Sequence, residues 1–187
     1  MASNLKGKKI AILATDGFEQ SELLEPRKAL QEAGAQIEVI SPNSGKIKGW
    51  NHTDWGETVK VDKTLGSANA EEYDALVLPG GVANPDHLRM DPRAVSFVQQ
   101  FVSNGKTVSA ICHGAWTLLE TGALNGRTVT SWPSLKTDLK NAGAKWVDKE
   151  VVTDGPFITS RKPEDLPAFN KALIEAVAHH VHQMVSA

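Results

Sequence analysis

Three observations predict an α/β fold, a mainly parallel sheet with helices on both faces. Strand-like and helix-like stretches alternate along most of the 187 residues. Two strand-like stretches, Lys9–Ala14 (KIAILA) and Asp74–Leu78 (DALVL), are almost unbroken apolar runs, as expected of strands covered on both faces. Gly and Pro act as punctuation between elements, with no repeat, low-complexity tract or linker. In such folds, sites lie at the carboxyl ends of the strands.

The elements follow in order. After the Lys9–Ala14 strand, Thr15-Asp16-Gly17 turns the chain. A helix is expected from about Ser21 to Ala33, with Leu23, Pro26, Leu30 and Ala33 on one face. Pro26 lies near the first turn, where its missing N–H costs least. Gly34 closes this helix, and Gln36–Ile40 reads as a second strand. Ser41–Leu65 is polar and irregular, with hairpin-like pieces at Lys46–Lys48 and Thr58–Val61. The Asp74–Leu78 strand ends in Pro79-Gly80-Gly81, and Asp91-Pro92 caps a helix that Gly105 ends. Its inner stripe is expected to be Ala94, Val95, Val98, Phe101 and Val102. Thr107–Ile111 reads as a strand and Ala115–Glu120 as a helix. Then come a strand at Thr128–Thr130, a helix at Leu135–Asn141, and strands near Lys145–Val147 and Val151–Thr153. Asp154-Gly155 signals a hairpin before Phe157–Ser160, and a helix from about Pro163 to Val185 closes the chain.

Composition narrows the class. Hydrophobic residues make up 41%, enough for one core, and no apolar run approaches the roughly 18 residues of a membrane span. One domain over 1–187 is expected, with 1–8 flexible. Met1–Lys9 lacks the apolar centre of a signal peptide, so no export and a cytoplasmic location are expected. A single Cys fits a reducing compartment. Net charge is −2 with scattered Lys and Arg, so neither a nucleic-acid surface nor a membrane partner is expected.

That one cysteine, Cys112, carries the chemistry. It sits in Ser109-Ala110-Ile111-Cys112-His113-Gly114-Ala115, between strand and helix, which is the setting of a nucleophile elbow. The turn is crowded, and Ala110 and Gly114 supply small residues two positions either side. A helix N-terminus would depress the thiol pKa, and His113 supplies a base or a cation. Glu19 and Glu22 follow the first strand, where one carboxyl could turn toward Cys112 and relay a proton. As acids at a helix start they could equally just complement its dipole. Pro79-Gly80-Gly81 reads as an oxyanion hole or as a plain turn. It is not a phosphate loop, because G-x-x-x-x-G-K is absent. Trp50, Trp55 and Trp146 read as core or interface anchors, whereas Trp116 and Trp132 lie near the cleft and could line it. His179, His180 and His182 read as a solvated helix face, since zinc needs three or four convergent ligands. No metal or cofactor is expected.

Several ordered segments resemble the PfpI family of intracellular proteases and stress proteins, whose superfamily includes the Parkinson-associated protein deglycase and heat-shock glyoxalases. They are Asp16-Gly17-Phe18-Glu19…Glu22-Leu23, Leu76-Val77-Leu78-Pro79-Gly80-Gly81, Ala110-Ile111-Cys112-His113-Gly114 and Thr130-Ser131-Trp132-Pro133, then Asn141 to Asp148 and Ser160-Arg161. The resemblance implies a flavodoxin-like sandwich with Cys112 as nucleophile, Glu22 bonded to it, Glu19 as a second acid and His113 as general base. It implies an oxyanion hole of Gly81 and His113 N–H groups. It also implies a homodimer or higher oligomer, in which Asp86 of a neighbouring subunit orients His113; other members can carry Glu there. Class I glutamine amidotransferases share the elbow but use a late His-x-Glu pair, and the late run here is His179-His180-Val181-His182. The implied substrates are methylglyoxal or glyoxal, their early adducts with protein or nucleotide amines, or peptides. Aldehyde-type carbons need less activation than an amide, and this favours the first two. A non-catalytic redox-sensing or chaperone-like stress protein would need the same activated cysteine.

Overall fold

A computed structural model describes residues 4–184, with side chains through His179. The chain opens with β1 (Lys9–Leu13), the two-residue β2 (Phe18–Glu19) and α1 (Gln20–Glu32). Then come β3 (Gln36–Ser41), β4 (Lys46–Asn51), β5 (Asp54–Lys60), β6 (Lys63–Thr64) and β7 (Ala75–Leu78). Two helices, α2 (Ala83–Met90) and α3 (Pro92–Ser103), lead to β8 (Thr107–Ile111) and the short α4 (Ala115–Leu119). β9 (Thr128–Val129), α5 (Lys136–Asn141), β10 (Lys145–Trp146), β11 (Val151–Asp154), β12 (Phe157–Ser160) and α6 (Leu166–Met184) complete it.

The main sheet runs β11-β12-β8-β7-β1-β3-β6. Every pairing in it is parallel except β11 with β12. That hairpin turns where Asp154-Gly155 predicts, with Gly155 at φ +58°. Central β7 (ALVL) is buried at all four positions, which explains its unbroken apolar run. One face packs on α1 and α6 through Leu23, Leu30, Phe169, Leu173 and Val177. The other packs on α2, α3, α4 and α5 through Leu88, Phe97, Phe101, Leu118 and Leu139. Helices therefore cover both faces, as the alternating pattern predicts.

Several details differ from the sequence reading. The leading segment is not free throughout: Leu5 is fully buried and its N–H donates to Ala33 O at 2.7 Å. The inner stripe of α3 runs through Ala94, Phe97, Val98 and Phe101, with Phe97 in place of Val95. Its start is as expected, with Asp91 Oδ1 accepting from Arg93 N–H at 2.9 Å and Pro92 in the first turn. Helix α2 is not legible, because Val82 at its start is helical and makes no side-chain cap. None of the five tryptophans is fully buried, and Trp55 keeps 51% of its surface exposed. Of the late histidines, His180 and His182 have side chains outside the described residues. Among the described residues, no helix is long and apolar enough to cross a membrane.

Phe101 is fully buried and meets Phe97 edge-on at a centroid distance of 5.2 Å. Phe101→Ala should cost about 3–5 kcal/mol, read as a lower urea midpoint at unchanged m-value. A loss under about 1 kcal/mol would show that this face carries little of the stability.

Candidate active site

Adjacent parallel strands β1, β7 and β8 bring three segments to one end of the sheet. The turn after β1 leads through Glu19 into the first turn of α1, which buries Glu22 completely. The end of β7 delivers Gly80-Gly81, and the end of β8 delivers Cys112.

Cys112 has φ +61°, in the left-handed region that a residue with a Cβ rarely adopts. Such strain costs on the order of 1–3 kcal/mol. It turns the chain from β8 into the short helical turn Cys112–Gly114 and aims the thiol at a cavity. A Cβ on Gly114 would meet the carbonyl oxygens of Leu78 and Pro79, so the small residue expected there is required. A Cβ on Gly80 would strike Glu22 Oε2 and come within 2.7 Å of Cys112 Cβ. Gly81, at φ +79°, has no such room either, facing Gly17 O. Asn84, fully buried, secures this loop. Its Nδ2 donates to Pro79 O and Gly80 O at 3.0 Å, and its Oδ1 accepts from Thr15 N–H at 2.8 Å.

Glu22 Oε2 and Cys112 Cβ both crowd the place a Cβ on Gly80 would take, and the charge of Glu22 acts on the thiol. Glu22 Oε2 accepts from Gly80 N–H at 2.8 Å, while Oε1 is buried without a hydrogen-bond partner. Gly80 N–H is thus committed to Glu22, which removes Gly80 from the expected oxyanion hole. The N–H groups of Gly81 and His113 remain, and both reach toward the sulfur.

Burial pushes the Glu22 carboxyl well above its ordinary range; the Gly80 N–H opposes this, and the charge of Glu19 adds to it. Burial also pushes the Cys112 thiol up, followed by the charge of Glu22, against the two backbone N–H groups. The depressed thiol pKa expected from a helix N-terminus is therefore not what the enclosure produces. One reason is that α4 has only five residues, too short for a strong dipole. Two anions cannot sit together in this pocket, so the pair holds at least one proton. The thiol has two N–H groups acting on it and the carboxyl one. When the pair holds a single proton, the charge is therefore better placed on sulfur and the proton on Glu22.

His113 is 8% exposed, with Nδ1 3.2 Å from Cys112 Sγ and Nε2 3.4 Å from Ser134 Oγ. Burial lowers its pKa, so the ring is neutral at neutral pH, a base and not a cation. Trp132 stacks on it at 6.0 Å and Trp116 meets it edge-on at 5.1 Å. Trp132 lines the cavity as expected. Trp116 does not; it backs His113 and donates its Nε1–H to Asp138 Oδ2 at 2.9 Å. Asp86 sits exposed on α2, outside the cavity lining, and makes no hydrogen bond to His113 within the chain.

The cavity holds about 400 Å³, a small-molecule volume. Glu19 lines it, nine-tenths buried, and burial raises its carboxyl pKa. Sequence reasoning missed Trp50 and His52 from the β4–β5 hairpin, and Lys162 and Glu164 from the turn before α6. Nothing in a polar, irregular segment marks which residue will reach a site contributed by distant strands. Among the described residues, no group of three or more His, Cys, Asp or Glu is arranged to hold a metal ion.

Glu22→Gln tests where the proton sits. Gln is neutral, as protonated Glu22 is, and still donates a hydrogen bond, so the pH midpoint of iodoacetamide alkylation should move by less than about one unit. Turnover should fall at least tenfold, about 1.4 kcal/mol, because an amide cannot relay a proton. A midpoint lowered by more than about one unit would mean that Glu22 is the anion of the pair.

Comparison with known proteins agrees with this geometry. The family model of the DJ-1/PfpI family matches residues 8–176. The chain is 46% identical to General stress protein 18 of Bacillus subtilis, over 90% of this chain and 99% of that protein. It is 45% identical to Protein/nucleic acid deglycase 2 of Escherichia coli, over 88% of this chain and 94% of that one. The crystal structure of Drosophila melanogaster DJ-1beta superposes with a TM-score of 0.83 at 28% identity, covering 91% of this chain and 90% of that one. Sequence match, fold and elbow geometry converge, and the chain belongs to the DJ-1/PfpI family.

Proposed function

We propose that the chain is a stress-response cysteine hydrolase or lyase acting on methylglyoxal or glyoxal, or on their early adducts with protein and nucleotide amines. The observation that carries this reading is a fully buried Glu22 carboxyl set beside Cys112 across Gly80, in a cavity of about 400 Å³. The deglycase name of the Escherichia coli relative and the stress-protein name of the Bacillus subtilis one support it.

The chemistry balances with these residues and water alone. The Cys112 thiolate adds to the aldehyde carbon; a C–S bond forms and the carbonyl electron pair moves to oxygen. The N–H groups of Gly81 and His113 receive that charge, and the Glu22 proton passes to the oxygen. The Glu22 carboxylate then takes the hydrogen of that carbon as a proton and returns it to the neighbouring carbon, while the hydroxyl proton passes to the neighbouring carbonyl oxygen, giving the thioester of a 2-hydroxy acid. Water, deprotonated by neutral His113, cleaves the thioester and restores the pair. The reading invokes no metal or cofactor, and a reducing compartment such as the cytoplasm suits the free thiol.

A PfpI-type peptidase is the second reading. One observation favours it: the ring of His113 finds only Ser134 Oγ and the sulfur, so no carboxylate orients it within the chain. Asp86 of a second subunit would supply that acid in a homodimer or larger homo-oligomer. A redox-sensing role would use the same thiolate.

Cys112→Ala should abolish lactate formation from methylglyoxal; full retention would sink the first reading. Single-turnover assays on methylglyoxal, its amine adducts and a peptide rank the substrates. Should peptide cleavage occur, mixing Cys112→Ala with Asp86→Asn subunits should restore part of it, since a hybrid interface carries one complete site. Full peptidase activity of a sedimenting monomer would rule out the shared site.

A further inference from the structure

Two non-glycine residues of the described chain have positive φ, Cys112 at +61° and His52 at +55°. Strain of this kind gathers at functional sites, and both residues line the same cavity. His52 takes the first central position of the two-residue loop between β4 and β5, a place suited to glycine. Three contacts fix the hairpin to the body. Gly17 N–H donates to Lys48 O at 2.8 Å, Lys48 N–H to Asp16 Oδ1 at 2.6 Å, and Glu57 N–H to Gln20 Oε1 at 2.7 Å. Trp50 Nε1–H donates to the carbonyl of His52 at 2.9 Å and holds the tip in shape. Parallel pairing of β2 with β4 sets Glu19 opposite Trp50, two residues from His52.

Glu19 supplies the second observation. It is 9% exposed, it lines the cavity, and its Oε1 is buried with no hydrogen-bond partner. A buried, unpartnered oxygen on a carboxyl that lines a cavity leaves that carboxyl able to take a donor from the ligand. Free methylglyoxal has no N–H or O–H to offer. A hemiaminal, the first adduct of an amine with an aldehyde, offers both on one carbon.

We propose that Glu19, positioned by His52, forms a second proton-transfer station that releases the amine from hemiaminal adducts, while Cys112, Glu22 and His113 process the freed aldehyde. The proposal rests on the first reading above. In this step the C–N bond breaks and its electron pair stays on nitrogen. One oxygen of the Glu19 carboxyl gives its proton to that nitrogen, and the other takes the proton of the hydroxyl, whose oxygen becomes the aldehyde carbonyl. Glu19 ends as it began, and no oxidant or reductant is needed. Burial, which raises the Glu19 pKa, keeps the required proton on the carboxyl to higher pH. The charge and then the backbone N–H of His52 oppose this and keep the group able to give the proton up. The other titratable groups of the cavity are Glu22, Cys112, His113, Lys162 and Glu164.

His52→Asn separates the ring from the backbone, because Asn tolerates the left-handed conformation and keeps the N–H. Single-turnover amine release, above the uncatalysed rate, is followed for methylglyoxal adducts of a basic alkylamine and of aniline, beside turnover of free methylglyoxal. The rate on the alkylamine adduct should fall at least tenfold more than the rate on methylglyoxal, with a smaller fall for aniline, a better leaving group. Glu19→Gln should give the same pattern with a larger loss, and His52→Gly should match His52→Asn. Equal falls on all three substrates, or no fall on the alkylamine adduct, would overturn the proposal. Failure of the parent reading shows separately, as undiminished methylglyoxal turnover by Cys112→Ala.

Discussion

The site depends on one constraint, a fully buried carboxyl and a strained cysteine set close together on a residue without a side chain. Gly80 makes it possible, because any Cβ there would strike both Glu22 and Cys112. The fold supplies the three parts by adjacency. β1, β7 and β8 are neighbours in the sheet, so the first turn of α1, the Gly-Gly loop and the elbow converge at one end. Burying Glu22 is costly unless it is protonated, so the burial the fold imposes also holds its proton.

The sheet was legible because its signal is physical and local. Runs such as KIAIL and ALVL admit few alternatives to strands covered on both faces, and Asp91-Pro92 and Asp154-Gly155 mark a helix start and a hairpin by backbone geometry. Helix α2 was not legible because its order comes from elsewhere. Asn84 ties it to the Pro79-Gly80 loop and to Thr15, and no local cap announces it. Of the site, Cys112 and Gly114 could be read from the elbow, since its sterics act within five residues. The resemblance placed Glu22 beside the sulfur, where spacing alone left its direction open. The roles of Gly80 and Trp116 were misread, because a glycine N–H has one partner and only three dimensions show which. His52 and Lys162 could not be found at all, since each reaches the cavity from a segment without a periodic pattern.

Burial sorts the two cavity histidines into different tasks. His113, enclosed by Trp132 and Trp116, is neutral and offers a lone pair. His52 stands at the exposed hairpin tip and reaches Glu19. A neutral ring beside Cys112 can accept a proton, which a buried cation there could not.

Backbone strain gathers at the same small cavity. A reacting carbon must be approached by a nucleophile from one side and by a proton source for its leaving group from another. Helix α1 and strand β2 bring Glu22 and Glu19 to the cavity, and two left-handed residues, Cys112 after β8 and His52 between β4 and β5, add to its lining. Glycine would satisfy the backbone at either position without strain but would bring no thiol and no imidazole. Two positions where glycine would be easier thus carry chemically active side chains, and the hairpin tip and the elbow meet at one cavity.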